Sequence, residues 1–386
     1  MHENFLARSL KISLPLWTIL CPFIGLGALA YANTLTEIST YMSIFLGISL
    51  IVSVLSAVHH AEVIAHKVGE PFGTIILALA ITIIEVSLIV SLMLSEPDEG
   101  PSVLARDTVF AAIMIILTGI VGICLVAGSY KYREQIFIKQ GVSTALTTLV
   151  AISILTLVLP NYTTSDIEGV YSESQLLFVA VISLVLYTGF ISVQTFRHRD
   201  YFLSKEDVEA QKRLEAQSKN LNEEEQPIVH SDIPNIRTSI TSLILLFGAL
   251  VAVVLLSKKL SPTIEQIVLD LGAPKSLVGI IIALVILLPE GLAAYKAARL
   301  DRIQTSLNLA LGSALASIGL TIPAVAIVCY FTDMKVSLGI DAKSTLLLVL
   351  SLFIVSQSLN SGKTNIQKGV VLLVIFATYL FLTIVP

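Results

Sequence analysis

Charge is scarce in this chain. Asp, Glu, Lys and Arg together make up 13% of its 386 residues, against hydrophobic residues at 55%. A soluble domain carries roughly twice that charged share, about 25%, so a soluble globular fold is excluded. Cysteine is scarce too. Cys21, Cys124 and Cys329 all fall in apolar stretches, without the spacing of a zinc site or a disulfide framework. No Walker-type phosphate loop and no EF-hand loop is present, so neither ATP hydrolysis nor a dedicated calcium-sensor loop is expected. A net charge of −4 gives no sign of nucleic-acid binding. Intramembrane proteolysis is disfavoured as well. No pair of aspartates lies deep in an apolar stretch, and every histidine lies near a stretch end or in a loop.

What remains is apolar sequence, with a mean hydropathy of +0.87. Eleven segments approach or reach spanning length: about 13–31, 40–58, 71–94, 108–129, 141–160, 174–195, 238–257, 275–298, 304–331, 343–359 and 367–385. In lipid these must be helices, because backbone polar groups need partners within the segment. The expected fold is therefore an all-α polytopic membrane protein of about eleven spans.

Roughly 18 of the 24 Lys and Arg residues fall in the N-terminus and the alternate loops 59–70, 130–140, 196–237, 296–303 and 358–368. The positive-inside rule places these in the cytoplasm, with the N-terminus inside and the C-terminus outside. Lys258, Lys259 and Lys275 oppose this assignment on the outer face. The run ending in Ala28-Leu29-Ala30-Tyr31-Ala32 resembles a secretory leader, but its length and the prolines at 15 and 22 favour a retained span.

Setting that first span aside (residues 1–39) leaves a first repeat at 40–195, a charged cytoplasmic segment at 196–237 and a second repeat at 238–386. Five spans per repeat is an odd number, so the second repeat is expected to be inverted relative to the first. Inverted repeats around a midplane site are a recurring transporter architecture.

Each repeat carries one glutamate deep in its second span, Glu85 and Glu290, after a Gly-x-Pro entry at Gly69-Glu70-Pro71 and at Gly272-Ala273-Pro274. An ionised carboxylate in hydrocarbon costs several kcal/mol unless it is neutralised or bound. A protonated glutamate bonded between helices is the plainer reading of Glu85 alone, and a simple proline kink that of Glu290; the recurrence of a glutamate in the second repeat argues for a site. Thr82 lies three residues before Glu85, on the same helical face. Pro289 removes a backbone donor and frees a carbonyl four residues back, and Gly291 loosens the turn, so a broken helix is expected there. Asn308, Gly312, Ser313 and Ser317 in the next span offer ligands or close packing, and the matching span of the first repeat offers Thr108, Thr118 and Gly119.

At the inner mouth, His59, Glu62 and His66 line one side of the segment if it is helical. With His60 and Glu70 they form a candidate vestibule, Glu70 being the better cation trap. The charged run Leu203–Glu225, with Glu223-Glu224-Glu225, reads as a solvated linker or as a cation-concentrating patch.

The segment His60-Ala61-Glu62-Val63-Ile64-Ala65-His66-Lys67-Val68-Gly69-Glu70-Pro71-Phe72-Gly73, with Glu85-Val86-Ser87-Leu88-Ile89, resembles the bacterial calcium/proton antiporters of the cation/calcium exchanger superfamily. Pro289-Glu290-Gly291 and Asn308…Gly312-Ser313 resemble its second repeat. The likeness covers nearly the whole chain. It implies one plus ten helices, exchange of cytosolic Ca2+ for H+, Glu85 and Glu290 as the ion-binding acids, possible acceptance of Na+ or K+, and residence in a bacterial inner membrane. The wider superfamily carries a Gly-Asn pair before each key glutamate, where this chain has Thr82-Ile83-Ile84 and Leu287-Leu288-Pro289. No cofactor is expected beyond the transported ions, and the partners are lipid and inorganic cations. The rival reading within transporters is a Na+(K+)/H+ antiporter using the same acids. A channel is the third reading, and it would lack proton coupling.

Overall fold

The computed structural model describes residues 14–35, 39–68, 72–94, 100–203, 235–270, 272, 274 and 276–385. Eleven long helices account for most of them. They are α1 (Leu16–Ala32), α2 (Thr40–Val68), α3 (Phe72–Met93), α4 (Leu104–Tyr132), α5 (Lys139–Tyr162), α6 (Glu173–Arg197), α7 (Ile236–Asp270), α8 (Ser276–Arg299), α9 (Ile303–Thr332), α10 (Ala342–Leu359) and α11 (Ile366–Ile384). Ten are long and apolar enough to cross a membrane, and α1 is shorter at 17 residues. Among the described residues, β pairing is limited to isolated bridges.

Each expected apolar segment is matched by one of these helices, with ends that differ by a few residues, but two helices run well past what hydropathy indicated. Helix α2 continues through the histidine-rich stretch to Val68, and α7 passes Lys258 and Lys259 and absorbs Pro262 before ending at Asp270. Most of the expected loops at 59–70 and 258–275 is therefore helix. Apolarity marks only the length facing lipid, whereas backbone bonding continues until something breaks it. Residues 59–68 hold no glycine or proline, and Lys and Glu are good helix formers. The Gly69-Glu70-Pro71 entry, Ala273 and Lys275, and residues 204–225 of the charged segment lie outside the described residues.

Packing divides the chain into two compact units. One holds residues up to Gly100 together with Asp232–Ile286, and the other holds Pro101–Ser231 together with Leu287–Pro386. The division differs from the expected repeat boundaries, since each unit draws helices from both expected repeats. It passes through α8 just before Pro289.

In the first unit α1, α2 and α7 pack on one another and α3 lies against α2 and α7. Small residues permit the approach: a Cβ added to Gly25 would stand 3.1 Å from Leu256 Cδ1 and 3.5 Å from Ser53 Oγ. The carbonyl of Thr18 accepts from Ser56 Oγ at 2.6 Å and from His60 Nε2 at 3.2 Å, pinning α1 to α2.

In the second unit α9 packs against α4, α5 and α6, and α11 lies along α4. Helix α4 is apolar on all sides and almost wholly enclosed, as such a helix must be in a large fold. Loops close both ends of the unit. Beside the start of α4, Ser102 bridges Val336 and Val170 bridges Ser337, Asn161 Nδ2 donates to the Ile340 carbonyl, and Tyr171 OH donates to the Leu155 carbonyl at 2.6 Å. Burial pushes the Tyr171 phenol up to about 12, so it stays a donor. The hydrogen bonds from Lys335 hold the exposed Asp166 carboxyl below its usual range. Gly169 takes a left-handed φ of +80° here. Beside the end of α4, Ile136 bridges Lys363, and Gln135 Nε2 donates to Ala298 O at 3.0 Å and Asp301 Oδ1 at 2.8 Å.

The crossing of α4 and α11 is closely fitted. A Cβ on Gly369 would lie 2.8 Å from both the Gly122 carbonyl and the Val126 backbone nitrogen, neither of which can swing aside. Interhelical contact through small residues is the usual device where no water drives the helices together. Gly369→Ala is expected to cost about 1–3 kcal/mol by overpacking, read as a lowered midpoint in thermal unfolding of the detergent-solubilised protein. Gly189→Ala, at a position with nothing within 4 Å, is the matched control and is expected to stay within about 0.5 kcal/mol.

Candidate ion-binding residues

Helix α3 presents Glu85 and Thr82 on one buried face, 3% and 4% exposed. Ile84, Leu88 and Ile89 fill the same interior. Thr82 Oγ1 donates to the Ala78 carbonyl at 2.9 Å, one helical turn back. That bond uses the hydroxyl proton and leaves the oxygen as an acceptor. The pair thus offers a carboxylate and a hydroxyl lone pair from a single turn, a donor set suited to a hard cation.

Glu290 follows Pro289 on α8. The residue is half-buried as a whole, but both carboxylate oxygens are buried. The expected break at Pro289 does not occur: α8 is helical from Ser276 to Arg299 with the proline inside it. Proline still supplies no N–H, so the carbonyl of Val285 loses its normal partner within the helix. Irregular backbone occurs instead as π-helical turns in α4, in α5 (Ile154–Val158) and in α6 (Val193–Arg197), and the turn in α4 is the one beside Glu290. Residues Ile115–Ile120 form a π-helical turn, enclosed on nearly every side, that carries Thr118 and Gly119. A Cβ on Gly291 would stand 3.2 Å from Ile120 Cδ1, so the turn holding Glu290 lies beside this π segment. Single π turns in otherwise regular helices are frequent at functional sites. Thr118 Oγ1 donates to the Met114 carbonyl, again one turn back, and remains an acceptor.

Helix α9 treats its polar residues differently. Asn308 Nδ2 donates to the Phe202 carbonyl, and Asn308 Oδ1 accepts from Gln304 Nε2 at 3.0 Å. Gln304 Oε1 in turn accepts from the backbone N–H of Ile138 at 2.6 Å. Both polar ends of Asn308 are therefore engaged in tying α9 to the ends of α5 and α6. Ser317 is buried at 2% exposure, Ser313 is half-buried, and open space lies beside Gly312.

The segment around the histidines is helical, as the side-by-side spacing of His59, Glu62 and His66 requires. Glu62 and His66 are exposed near the end of α2. His60 is not with them. It is fully buried, and since a carbonyl can only accept, its Nε2 carries the hydrogen donated to Thr18. Glu70 lies outside the described residues.

By packing unit, Glu85 falls with Thr82, Glu62, His60 and His66, and Glu290 falls with Pro289, Thr118, Asn308, Ser313 and Ser317. Two features were missed in the sequence. One is the π turn, which has no marker in residue type. The other is Arg106–Asp107, an ion pair at 2.8 Å in the first turn of α4, with Arg106 also donating to the Gly339 carbonyl at 3.0 Å. Drawing the span from 108 placed this pair just outside it, although two adjacent opposite charges at a span edge were a visible signal.

Comparison with known proteins places the chain in a lineage. The sequence profile of the sodium/calcium exchanger protein family matches residues 38–196 and 241–385. The chain is 41% identical, over the full length of both, to a putative ionic transporter, y4hA, of Sinorhizobium fredii. It is 34% identical over 333 residues, 86% of each chain, to the sodium-potassium/proton antiporter ChaA of Escherichia coli. In three dimensions it is similar to the H+/Ca2+ exchanger CAX, with a TM-score of 0.67 at 16% identity over 98% of this chain and 89% of that one, a likeness of fold. The chain is thus an integral membrane protein whose relatives are transporters, and it belongs to the sodium/calcium exchanger protein family as a Cha-type bacterial cation/calcium exchanger.

Proposed function

We propose that this exchanger is a secondary active antiporter that exports Ca2+ in exchange for H+ by alternating access, with Glu85 and Glu290 as the acids that carry cation or proton. The observation that carries this reading is the burial of those two carboxylates in helices otherwise almost free of charge. An ionised carboxylate out of water is costly unless it gains a counter-charge. Two carboxylates offer two negative charges, matched by one Ca2+ or by two protons. Either loaded state is nearly neutral and can pass through the conformational cycle; the empty ionised state cannot do so cheaply. That asymmetry couples the two fluxes with no need for ATP.

Ca2+ takes six to eight oxygen ligands. The hydroxyls of Thr82 and Thr118 supply acceptors because each already gives its proton to its own helix. The Val285 carbonyl released by Pro289, with Ser313 and Ser317, completes the auxiliary set assigned here. Asn308 serves as an anchor that fixes α9 while those serines are presented. Glu62, His66 and Glu70 form the cytoplasmic vestibule, with the N-terminus inside, the C-terminus outside and the protein in a bacterial inner membrane.

A second reading keeps the same acids and exchanges Na+ or K+ for H+. It is favoured by the name of the Escherichia coli relative, a sodium-potassium/proton antiporter. Proteoliposomes with an imposed pH gradient separate the two. Dequenching of an internal pH dye by micromolar Ca2+ supports the calcium reading, and a response to Na+ or K+ alone overturns it.

Glu85→Gln and Glu290→Gln are each expected to reduce proton-coupled exchange to the level of empty liposomes, with unchanged gel-filtration profiles. Full transport by either variant removes that glutamate from the mechanism. The charge balance makes a further prediction. If one Ca2+ is traded for two protons, a Ca2+ jump on a solid-supported membrane will give no sustained charge displacement while the dye still reports proton movement. A sustained current refutes that stoichiometry.

A further inference from the structure

Between α5 and α10 lies a cleft of about 340 Å³ whose lining combines one cation, several hydrogen-bond donors and an apolar floor. We propose that it is a binding site for an anionic phospholipid, with the lipid phosphate at Lys139 and one acyl chain lying along Val142, Leu146 and Leu359. The inference does not depend on which cation the protein exchanges.

Charge argues first. Lys139 is exposed at the mouth, and no hydrogen bond or ion pair engages its ammonium among the described residues. No acidic residue lines the cleft. The neighbouring acid, Glu134, pairs with Lys363 at 3.6 Å instead. The cleft therefore presents uncompensated positive charge. The side chains of Ser143, Gln357 and Asn360 add donors that are likewise uncommitted among the described residues. Lys139 also begins α5, whose N-cap Ile138 supplies no side-chain cap. The positive end of the helix thus adds to the lysine, since first-turn N–H groups favour an anion.

Geometry argues second. Val142, Leu146 and Leu359 are buried beneath the polar rim, and the lining continues along α5 to Val150. From Lys139 to Val150 the helix makes eleven steps of about 1.5 Å and spans about 16 Å, close to the depth of one leaflet of a hydrocarbon core about 30 Å thick. A headgroup phosphate at one end and methylenes along the rest match that polarity gradient. The volume holds a phosphate and part of one chain, leaving the second chain in the bilayer. A free inorganic anion would use the mouth and leave the apolar floor empty, and a neutral phospholipid would use the floor without the lysine. Basic clefts between spanning helices near the cytoplasmic face are suited to acidic headgroups.

The test is lipid retention by the purified full-length protein. The delipidated protein is offered equal phosphatidylglycerol and phosphatidylcholine, and the bound lipid is counted by native mass spectrometry. Wild type is expected to retain phosphatidylglycerol in preference. Lys139→Gln is expected to lower that preference about five-fold, which is what about 1 kcal/mol per basic residue amounts to. Lys131→Gln, whose ammonium donates to the Arg299 carbonyl, should leave it unchanged. Thr147→Trp, an exposed position on the cleft wall, should reduce retention of both lipids by filling the floor. Retained cation exchange and an unchanged gel-filtration profile show that each variant is folded. Unaltered phosphatidylglycerol retention in Lys139→Gln and Thr147→Trp overturns the proposal. So does displacement of the lipid by millimolar inorganic phosphate, which would mark the mouth as a free-anion site.

Discussion

In hydrocarbon the backbone has no solvent to bond to, and each N–H and C=O must find its partner within the segment. That constraint makes this chain almost entirely helical, and it also decides what its side chains can do. Several hydroxyls in the spans turn back to carbonyls of their own helices, as Thr82 does to Ala78, Thr118 to Met114, Thr156 to Ile152 and Ser351 to Leu347, while Ser56 donates across to Thr18 of α1. Each such bond consumes a proton donor and leaves lone pairs. A membrane interior built this way is rich in acceptors and poor in donors, which favours cations over anions before any carboxylate is counted.

Against that background the two glutamates have no cheap way to stay ionised and alone. Their positions within regular helix matter as much as their charge. A break at Pro289 would have let α8 bend at Glu290; instead the helix runs through, and the irregular backbone beside Gly291 is the enclosed π turn of α4. A π turn shifts the register of the backbone by one residue while keeping nearly all its hydrogen bonds. It can therefore re-aim Thr118 without exposing several polar groups to lipid, which an unwound turn at proline would risk. The burial of α4 makes this tolerable, because the groups a π turn leaves imperfectly bonded face protein.

The spans were legible in the sequence because hydropathy reports what faces lipid, and each apolar segment was matched by a helix. Their ends were not. Helix α2 carried on through His59 and His60, and α7 through Lys258 and Lys259, because bonding along a helix is indifferent to where the membrane stops. The division into packing units was also hidden: the expected repeats follow chain order, whereas packing joins α2 to α7 and α4 to α11 across that division. At the candidate site, Glu85 with Thr82 was readable from an i, i+3 step alone. Asn308 was not, since its engagement with Gln304 and the Phe202 carbonyl depends on a turn about a hundred residues away in sequence.

The same reasoning explains why ion preference is the hardest property to read from this chain. Ca2+ and Na+ both seek oxygen, and the proposed donor set of carboxylate, hydroxyl and carbonyl would serve either. What separates them is the number of oxygens that can close on the ion and the net charge they carry. Two ionised carboxylates match a divalent ion; one, with its fellow protonated, matches a monovalent ion. Selectivity in such a design follows from how many protons accompany each conformational state rather than from any single ligand. A Gly-Asn pair before each glutamate would add a fixed amide oxygen; Thr82 and Pro289 stand nearby instead, offering a hydroxyl and a carbonyl whose positions depend on the helix around them. If the proposed acids and these neighbours hold the ion, small shifts of helix register would move the balance between Ca2+ and Na+ or K+ while the acids stay the same.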